Sequence, residues 1–458
     1  MWSCTLEMDI EMEKYKMQIP KQVADIIRIL GSHGFEAYAV GGCVRDTLLG
    51  REPGDWDITT SAKPDQVKRL FRRTVDTGIQ HGTVTVLIDK TGYEVTTYRI
   101  DGVYEDGRHP KQVEFTPDLV EDLRRRDFTI NAMAYSPDRG IVDIFDGRGD
   151  LERKVIRCVG DPMERFTEDA LRILRAIRFS AQLGFSIGKE TWGAIGRIAP
   201  NMAKVSKERI QVELTKLLQS DHPEQILDVY RTGISPYISE EFHRLPWRKY
   251  VMEPEASEKK GQRQETSGQN RQKQVEISGE GNQRHIGIFE RRHQQQVQDF
   301  PREQDLRQAA NLPGEKYLRW AAFLRGTEPE EAVRVLKDLK MDNDTIRKVK
   351  ILVVWAGREL PEDETTVRRG MSQMEPEVWD GVLALNGCEP GIQELTRVIR
   401  ERGDCLDLKH LAVNGQDLVA AGVKPGKAMG ELLGRLLEHV LEKPEDNRKD
   451  VLMKLAGI

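Results

Sequence analysis

Two aspartates flank a tryptophan at the end of the run GGCVRDTLLGREPGDWD, and their spacing indicates the chemistry of this part of the chain. The residues AYAV before the glycines and DWDIT at the end of the run predict two short strands. In a strand, residues i and i+2 point to the same face, so we expect Asp55 and Asp57 side by side, with Trp56 and Ile58 turned into the core. Adjacent carboxylates repel each other unless a cation joins them, which indicates bound Mg²⁺.

The glycine pair adds phosphate binding to this prediction. Gly41 and Gly42 end the preceding strand where backbone N–H groups can approach a phosphate closely. Phosphates, a metal and paired carboxylates together predict phosphoryl or nucleotidyl transfer. The alternative interpretation is that DWD is a surface turn, because DxD pairs are common.

A third carboxylate, Glu94, stands in the otherwise apolar and β-branched run YEVTTYRI. A carboxylate inside a sheet is costly unless it has a partner. If this strand lies beside DWDIT, Glu94 completes a two-metal site, in which one metal activates the attacking hydroxyl and the other holds the triphosphate. The alternative is an exposed glutamate on an edge strand.

Three consecutive arginines precede Asp127 in EDLRRRDFTINAMAYS. A helix cannot place three consecutive residues on one face. At least one arginine is therefore free to meet a triphosphate or ribose, with Asp122 or Asp127 positioning it. The alternative is a solvated charge run.

The segment DGVYEDGRHP, residues 101–110, is rich in Asp, Gly and Pro. This composition predicts a mobile loop. Beside an active site such a loop would act as a lid or lever, and elsewhere it would be an ordinary surface turn.

The helix predicted in TEDALRILRAIRF carries a pair of side chains that suits a nucleobase. Asp169 and Arg172 are spaced i, i+3 and are expected on one side of that helix. The buried stripe is expected to contain Ala170, Ile173, Leu174 and Ile177. An acceptor beside a fork of donors complements cytosine and adenine, which each present an amino donor next to a ring-nitrogen acceptor. Uracil and guanine would be rejected, because each buried group left unpaired costs about 1–3 kcal/mol. From the helix alone, an intrahelical salt bridge is the simpler interpretation.

The amino-acid composition limits the classes to which this protein can belong. The 458 residues predict several domains, and no apolar run is long enough to span a membrane. The polar N-terminus is unlike a signal peptide. The five cysteines and nine histidines form no CxxC or HExxH pattern, which argues against zinc and a disulfide framework and fits a reducing cytoplasm. A net charge of −5 excludes a uniformly basic nucleic-acid binder but allows a local basic surface.

The fold class predicted is α+β for about the first 150 residues and helical thereafter. HGTVTVLID and YEVTTYRI predict a hairpin with its turn at Lys90-Thr91-Gly92, and GIVDIFDG predicts another strand. Thr167 and Ser206 are predicted helix N-caps. Residues 253 to about 312 are rich in Gln, Arg and Glu, which predicts a solvated, partly disordered linker, with RNA contact as the alternative.

Taken together, these motifs resemble those of the class II tRNA nucleotidyltransferases, the CCA-adding enzymes, in the polymerase-β-type nucleotidyltransferase superfamily. GGCVRDTLLG with DWD is similar to the family's catalytic motif, DLRRRDFTINA to its ribose-recognition motif and DGVYEDGRHP to its flexible loop. EDALR is similar to the nucleobase-selecting motif, and SKERIQVELTKLL to the helix that braces it. No HD phosphohydrolase signature is present, so the phosphatase activity of some relatives is not expected.

The resemblance implies a head, neck, body and tail. The head, residues 17–151, would have a polymerase-β-like fold with a small mixed or antiparallel sheet and helices. The neck (152–220) would select the nucleobase, and the neck, the body (221–375) and the tail (376–458) would be all-α. The polar segment leaves the start of the body uncertain. The tail would bind tRNA.

The resemblance also implies roles for individual residues. Asp55 and Asp57 would hold Mg²⁺, and Glu94 would complete the catalytic site. The nucleotide-binding residues would be Gly42, Arg45, Asp122, Arg125, Asp127, Asn131, Glu168, Asp169, Arg172, Arg175 and Arg178. Within this set, Asp122 and Arg125 would serve ribose and triphosphate, and the EDALR residues would form the base pocket. Supporting roles would fall to Arg108, Glu208, Arg209 and Glu213.

The implied function is template-independent addition of C, C and A to the 3′ end of tRNA from CTP and ATP in the cytoplasm. The body and tail would hold the acceptor stem and elbow. A CC-adding or A-adding enzyme, or a poly(A) polymerase, is an alternative, and the intact loop favours the full activity. An inactive tRNA-binding or chaperone protein is another, against which the intact Asp55, Asp57 and Glu94 argue. Monomer and homodimer are both open.

Overall fold

The computed structural model describes residues 17–101, 113–252, 303–360 and 362–458. These residues form two compact units. The first unit holds the described residues up to 252 together with Asp338–Lys340, and the second holds 303–337 and 341–458. No helix within these ranges is long and apolar enough to cross a membrane.

Two sequence predictions fall partly or wholly outside the described residues. The predicted loop is described only at Asp101, so Arg108 and the lid prediction are untested. Of the predicted polar segment, residues 253–302 are outside. Its last residues differ from the prediction, because they form a helix and a 3-10 turn in which Leu306 and Ala309 are buried.

Eleven strands are described, and seven of them form one mixed sheet. The strands are β1 (Ala37–Val40), β2 (Ile58–Thr60), β3 (Thr74–Gly78), β4 (Thr83–Ile88), β5 (Thr91–Thr97), β6 (Arg99–Asp101), β7 (Val113–Phe115), β8 (Met133–Ser136), β9 (Gly140–Asp143), β10 (Val155–Ile156) and β11 (Ser186–Ile187). The sheet order is β3-β4-β5-β2-β1-β8-β9, and β2 and β5 are its one parallel pair among the described strands. The predicted α+β head with a small mixed sheet is confirmed.

Helices make up most of the remaining described structure, and several helices of the first unit pack against this sheet. In the first unit they are α1 (Lys21–Ser32), α2 (Gly42–Leu48), α3 (Pro64–Leu70), α4 (Leu119–Arg124), α5 (Gly147–Arg153), α6 (Pro162–Glu168), α7 (Leu171–Leu183), α8 (Lys189–Ile198), α9 (Lys207–Leu218), α10 (Asp228–Arg231), α11 (Ser235–Ile238), α12 (Glu240–Arg244) and α13 (Trp247–Met252). Those that follow are α14 (Glu303–Gln308), α15 (Lys316–Phe323), α16 (Pro329–Asp338), α17 (Asn343–Trp355), α18 (Glu364–Ser372), α19 (Pro376–Asn386), α20 (Pro390–Arg402), α21 (Gly415–Ala420), α22 (Lys427–Glu442) and α23 (Lys449–Leu455).

Burial follows the apolar pattern of the sequence. All four residues of β1 are buried, as expected of a strand that lies between β2 and β8 and is covered by helix α1. α1 buries one apolar stripe at helical spacing, made of Val23, Ile26, Ile27 and Leu30. The second unit contains two apolar clusters, one around Trp379 and one around Val440.

The strand predicted for DWDIT is shorter than expected. β2 begins at Ile58, so Asp55 and Asp57 lie in the irregular segment before the strand rather than on one of its faces. Trp56 is half-buried, and Ile58 enters the core. The proline and glycine of REPGDWD disfavour an earlier start of the ladder.

The hairpin turn also lies earlier than predicted. Ile88 pairs with Thr91, so the turn residues are Asp89 and Lys90. Both have positive φ, 50° and 69°, as a two-residue type I′ turn requires. The sequence favoured Gly92 because glycine adopts positive φ most easily, but Gly92 lies within β5 opposite Leu87.

The long helix predicted from Thr167 is two helices. α6 ends at Glu168 and α7 begins at Leu171, because Asp169 is extended (φ −144°, ψ 103°) and its carboxylate accepts the N–H of Leu171. Thr167 lies inside α6 and is not an N-cap, whereas Ser206 occupies the N-cap position of α9 as predicted. The residues predicted as all-α also contain β10 and β11, which pair in parallel over two residues each.

We expect Lys90→Gly to raise the free energy of unfolding by about 0.5–1 kcal/mol, because a lysine at positive φ is strained by roughly that much more than a glycine. Urea unfolding of the full chain measures this. Lys216→Gly, at an exposed position of helix α9, is the control and should lower stability by about 1 kcal/mol. A loss of stability in Lys90→Gly would contradict the turn assignment.

Candidate active site

The glycine pair forms a tight turn between β1 and helix α2. Gly41 has φ 82°, a conformation that favours glycine, and its N–H donates to the carbonyl of Met133. A β-carbon at Gly41 would lie 3.0 Å from Nη1 of Arg126. Gly42 begins α2 and lies close to the guanidinium of Arg45. The turn therefore places the backbone of the two glycines close to the guanidinium groups of Arg126 and Arg45.

The parallel pairing of β2 with β5 brings the predicted catalytic carboxylates near each other. Ile58 pairs with Val95, so Asp57 and Glu94 occupy the preceding positions of neighbouring strands. Both side chains keep contact with solvent. Desolvation raises the pKa of Asp57, with Asp55 adding to the rise and Arg126 opposing it. Desolvation, Asp57 and Asp55 together raise the pKa of Glu94.

Crowded carboxylates are the donor set that a hard divalent cation needs. Repulsion from neighbouring carboxylates adds to the desolvation that raises the pKa values of Asp57 and Glu94, and a cation would relieve that repulsion, so the residues fit one. Within the described ranges, however, no three His, Cys, Asp or Glu side chains are gathered into a ready metal-ligand group. The charges of Asp55 and Asp57 are therefore close enough to raise the pKa of Glu94, but the three carboxylates do not converge on one point.

The three consecutive arginines point in three directions. Arg124 is 59% exposed and lies 3.6 Å from Glu121. Arg125 donates through Nε and Nη2 to Oδ1 of Asp122, at 3.0 and 2.8 Å. Arg126 reaches the Gly41 turn and lies close enough to Asp57 to affect its pKa. Arg126 was not among the predicted site residues, although the expectation that at least one arginine of the run is free to meet a triphosphate or ribose is consistent with its position.

Asp122 is not accessible to a nucleotide. Its side chain is 0% exposed, and both oxygens accept hydrogen bonds from protein groups. Burial would raise its pKa, but Arg125 and Arg126 outweigh burial and hold the pKa below its usual range. The structure therefore shows Asp122 bound to protein groups, and its contact with ribose or triphosphate stays a prediction.

Five predicted nucleotide-binding residues instead bind one another. Arg45 donates to Asn131 at 2.6 Å, and Asn131 donates to Asp127 at 3.2 Å. Arg175 donates to the other oxygen of Asp127 at 2.8 Å. Arg175 also lies 3.7 Å from Glu213, which accepts from Arg178 at 2.5 Å. This chain of contacts joins helix α2 to helices α7 and α9.

An aromatic ring lies among the arginines of this chain. The guanidinium groups of Arg45, Arg175 and Arg178 are 5.0, 5.3 and 3.9 Å from the ring centroid of Phe179. Three like charges around one ring are tolerated because Asp46, Asp127 and Glu213 neutralise them. Balanced charge therefore holds helix α2 against helices α7 and α9.

The predicted base-reading residues stand at the break between α6 and α7. Asp169 pairs with Arg209 at 2.7 Å, and Arg172 donates to Glu168 at 2.5 Å. The intrahelical Asp169–Arg172 salt bridge is thus not formed. Arg172 also donates to the carbonyl of Arg125 at 3.2 Å, which links the break to the arginine run.

The remaining residues of the base-reading motif and its brace are placed as follows. Ala170, Ile173, Leu174 and Ile177 are all buried, as predicted. Glu213 and Arg209 hold α9 against α7 and Asp169. Glu208 is exposed and has no ion pair among the described residues, so no ion pair supports its predicted role.

Models of three known domain families match the chain. The poly A polymerase head domain matches residues 37–157, an RNA and SrmB-binding site of polymerase A matches 184–244, and tRNA nucleotidyltransferase domain 2 matches 314–456.

Individual relatives match nearly end to end. The CCA-adding enzyme of Levilactobacillus brevis is 35% identical and is aligned over 96% of this chain and 97% of its own. That of Limosilactobacillus fermentum is 38% identical over 93% of both chains. The crystal structure of the Bacillus stearothermophilus CCA-adding enzyme in complex with CTP superposes with a TM-score of 0.72 at 29% identity, over 96% of this chain and 98% of that one.

Transfer of a nucleotide requires acidic side chains for a cation and a positive group for the phosphates, and the head supplies both beside one turn. The fold and the site thus define a nucleotidyltransferase with a polymerase-type head. The chain belongs to the CCA-adding enzymes, a family of tRNA nucleotidyltransferases.

The depressed pKa of Asp127 predicts a loss of stability in acid. Burial opposes ionisation, but Arg175, Arg172 and Asn131 hold the pKa at about 2, below the reference value of 3.8. Since the folded value is the lower one, the stabilisation is present above pH ~4 and is lost as the pH falls through ~2, in total about 2 kcal/mol.

Asp127→Asn removes this titration. The difference in unfolding free energy between wild type and Asp127→Asn should shrink by about 2 kcal/mol between pH 6 and pH 2, measured by urea unfolding. Asp138→Asn, at an exposed position, is the control. An unchanged difference across this range would show that Asp127 is not held by its arginines.

Proposed function

We propose that this chain adds C, C and A to the 3′ end of tRNA without a template, from CTP and ATP, and releases pyrophosphate. The observation that carries the proposal is the register of β2 against β5, which sets Asp57 beside Glu94 next to the Gly41 turn and Arg126. The full-length match to CCA-adding enzymes supports the same reaction.

Asp55 and Asp57 are the residues that would hold Mg²⁺, with Glu94 as the third acid of the site. When bound, Mg²⁺ lowers the pKa of the attacking 3′-hydroxyl and neutralises charge on the triphosphate. The segment before β2 carries both aspartates outside the sheet ladder, so their carboxylates are free to turn toward a cation.

Positive charge for the phosphates comes from the arginine run. Arg126 presents a guanidinium at the Gly41 turn, where the missing side chain leaves room for it. A planar fork of donors binds and orients phosphate oxygens better than a point charge does. Arg126 therefore orients the triphosphate, while Arg125 is held by Asp122.

The residues at the break between α6 and α7 select CTP and ATP in this proposal. Glu168, Asp169 and Arg172 supply acceptors and donors at one place, and each is already held by a partner from another element or turn. Because Arg172 also contacts the backbone of Arg125, the base pocket and the arginine run are fixed relative to each other. Fixed groups discriminate well, since a mismatched base leaves them unpaired.

The tRNA is the second substrate, and the helical second unit is proposed to contribute to its binding. A solved structure of the Thermotoga maritima CCA-adding enzyme is complexed with tRNA, and it shares the fold with a TM-score of 0.56 at 19% identity. The predicted domain boundaries, the cytoplasmic location and the choice between monomer and homodimer stay predictions.

The alternatives are a CC-adding or A-adding enzyme, a poly(A) polymerase, and an inactive tRNA-binding protein. One experiment separates them. Purified protein is incubated with tRNA that ends at the discriminator base, with labelled CTP and ATP separately and together. We expect two C residues with CTP alone and CCA with both. C addition without A, A addition alone, a long A tail, or no product each identifies one alternative.

We expect Asp55→Ala with Asp57→Ala to lower the rate of nucleotide addition by at least about a thousandfold, because both proposed cation ligands are lost. Binding of tRNA, measured by filter retention, should persist. Asp65→Ala with Asp138→Ala changes the net charge equally at two exposed positions and should stay active. Substantial activity in the first double variant would disprove the metal assignment.

We expect Arg172→Ala to reduce the preference for CTP over UTP by roughly 10- to 100-fold, because one or more base-edge hydrogen bonds of about 1–3 kcal/mol are lost. Competition between the two labelled nucleotides measures the preference. Arg197→Ala, an exposed arginine on α8, is the matched control. Undiminished discrimination in Arg172→Ala would remove the base-reading role.

A further inference from the structure

One buried carboxylate connects the strands of the reaction site to the arginine run. Asp122 is 0% exposed, and its Oδ1 accepts from Nε and Nη2 of Arg125 and from the backbone N–H of Arg99. Its Oδ2 accepts from Oγ1 of Thr59 at 3.1 Å and from Nη2 of Arg126 at 3.3 Å. Asp122 thus receives donors from the arginine run, from β2 and from the start of β6.

Thr59 ties this carboxylate to both strands that carry the proposed acids. It lies on β2 two residues after Asp57, is fully buried, and its Oγ1 is also 3.3 Å from the carbonyl of Thr96. Thr96 lies on β5 two residues after Glu94. A displacement of Thr59 would therefore move the parallel pair on which the two acids are placed.

Arg126 depends on Asp122 for its position. Its Nε is buried and has no hydrogen-bond partner among the described residues, and its ion pair is with Asp122. Its Nη1 lies at the Gly41 turn. Among the described residues, Asp122 is the one carboxylate that accepts a hydrogen bond from this guanidinium, while Asp57 attracts it only at longer range.

We propose that Asp122 is a positioning residue of nucleotidyl transfer, which fixes Arg126 at the Gly41 turn and, through Thr59, the strands of Asp57 and Glu94. The inference rests on the proposed function and replaces the ribose contact expected from the sequence. Asp122 itself touches no substrate, so its loss should lower the turnover number more than it weakens tRNA binding.

A matched control exists in the same unit. Asp150 is also buried, accepts from the buried Thr129 at 2.5 Å, and pairs with Arg153 and Arg157. It lies in α5, and these three partners are not proposed catalytic residues. Removing its charge should cost comparable stability without affecting the placement of the acids.

The experiment compares Asp122→Asn with Asp150→Asn in the full chain, by steady-state CMP addition and by thermal unfolding. We expect Asp122→Asn to lower kcat by roughly 10- to 100-fold, the usual cost of losing a group that holds a ligand in place, with the KM for tRNA within about twofold of wild type. Asp150→Asn should destabilise the fold similarly and keep kcat within about twofold.

Thr59 provides a second test that keeps the fold intact. Thr59→Val removes the hydroxyl at nearly constant volume and should lower kcat at least about fivefold, whereas Thr59→Ser should retain it. Thr129→Val is the control on the Asp150 side. If Asp122→Asn fails to fold, these variants decide the question alone.

Each outcome has a distinct meaning. Equal loss of kcat in the Asp122 and Asp150 variants, or normal kcat in Asp122→Asn or Thr59→Val, overturns the positioning role while the proposed function stands. If the wild type transfers no nucleotide to tRNA, the proposed function fails and this inference falls with it.

Discussion

Buried carboxylates fix the arginines of the first unit before any substrate binds. Asp122, Asp150 and Glu213 each face two arginines, and Asp127 faces Arg175. A carboxylate taken out of water costs several kcal/mol unless cations and hydrogen bonds compensate it, so each buried acid obliges its partners to stay. The arginines proposed to bind the nucleotide are therefore already held in place by carboxylates of the protein.

The proposed cation site has the opposite character. Asp55, Asp57 and Glu94 keep contact with solvent. Desolvation and neighbouring carboxylates raise the pKa values of Asp57 and Glu94. Within the described residues, none of the three acids forms a carboxylate–arginine ion pair as close as those of the buried network. In the proposed function, the first unit therefore combines arginines held by protein carboxylates with an acidic group that a divalent cation would complete.

The sequence predicted the individual strands and helices of this site better than the contacts between their side chains. β1 and the buried residues Ala170, Ile173, Leu174 and Ile177 follow from period and composition, whereas the pairing of the DWD and Glu94 strands was a condition of the predicted site that the structure meets. Which arginine of the run reaches the turn depends on where α4 ends, and the interruption at Asp169 depends on a side chain that accepts its neighbour's N–H. These are tertiary and local hydrogen-bonding effects, which periodicity does not encode, so Asp122 was assigned to substrate and Arg126 was missed.

The arginine run illustrates how three identical neighbours acquire different surroundings. α4 ends at Arg124, and the next two residues leave the helix, so the side chains fan out to solvent, to Asp122 and to the Gly41 turn. The surroundings of each arginine are determined by its distance in sequence from the end of α4, because the three side chains are chemically the same. An insertion or deletion of one residue between Asp118 and Phe128 would move each arginine into the position of its neighbour. Natural and engineered changes of length in this family should therefore avoid that interval, even where substitutions are accepted.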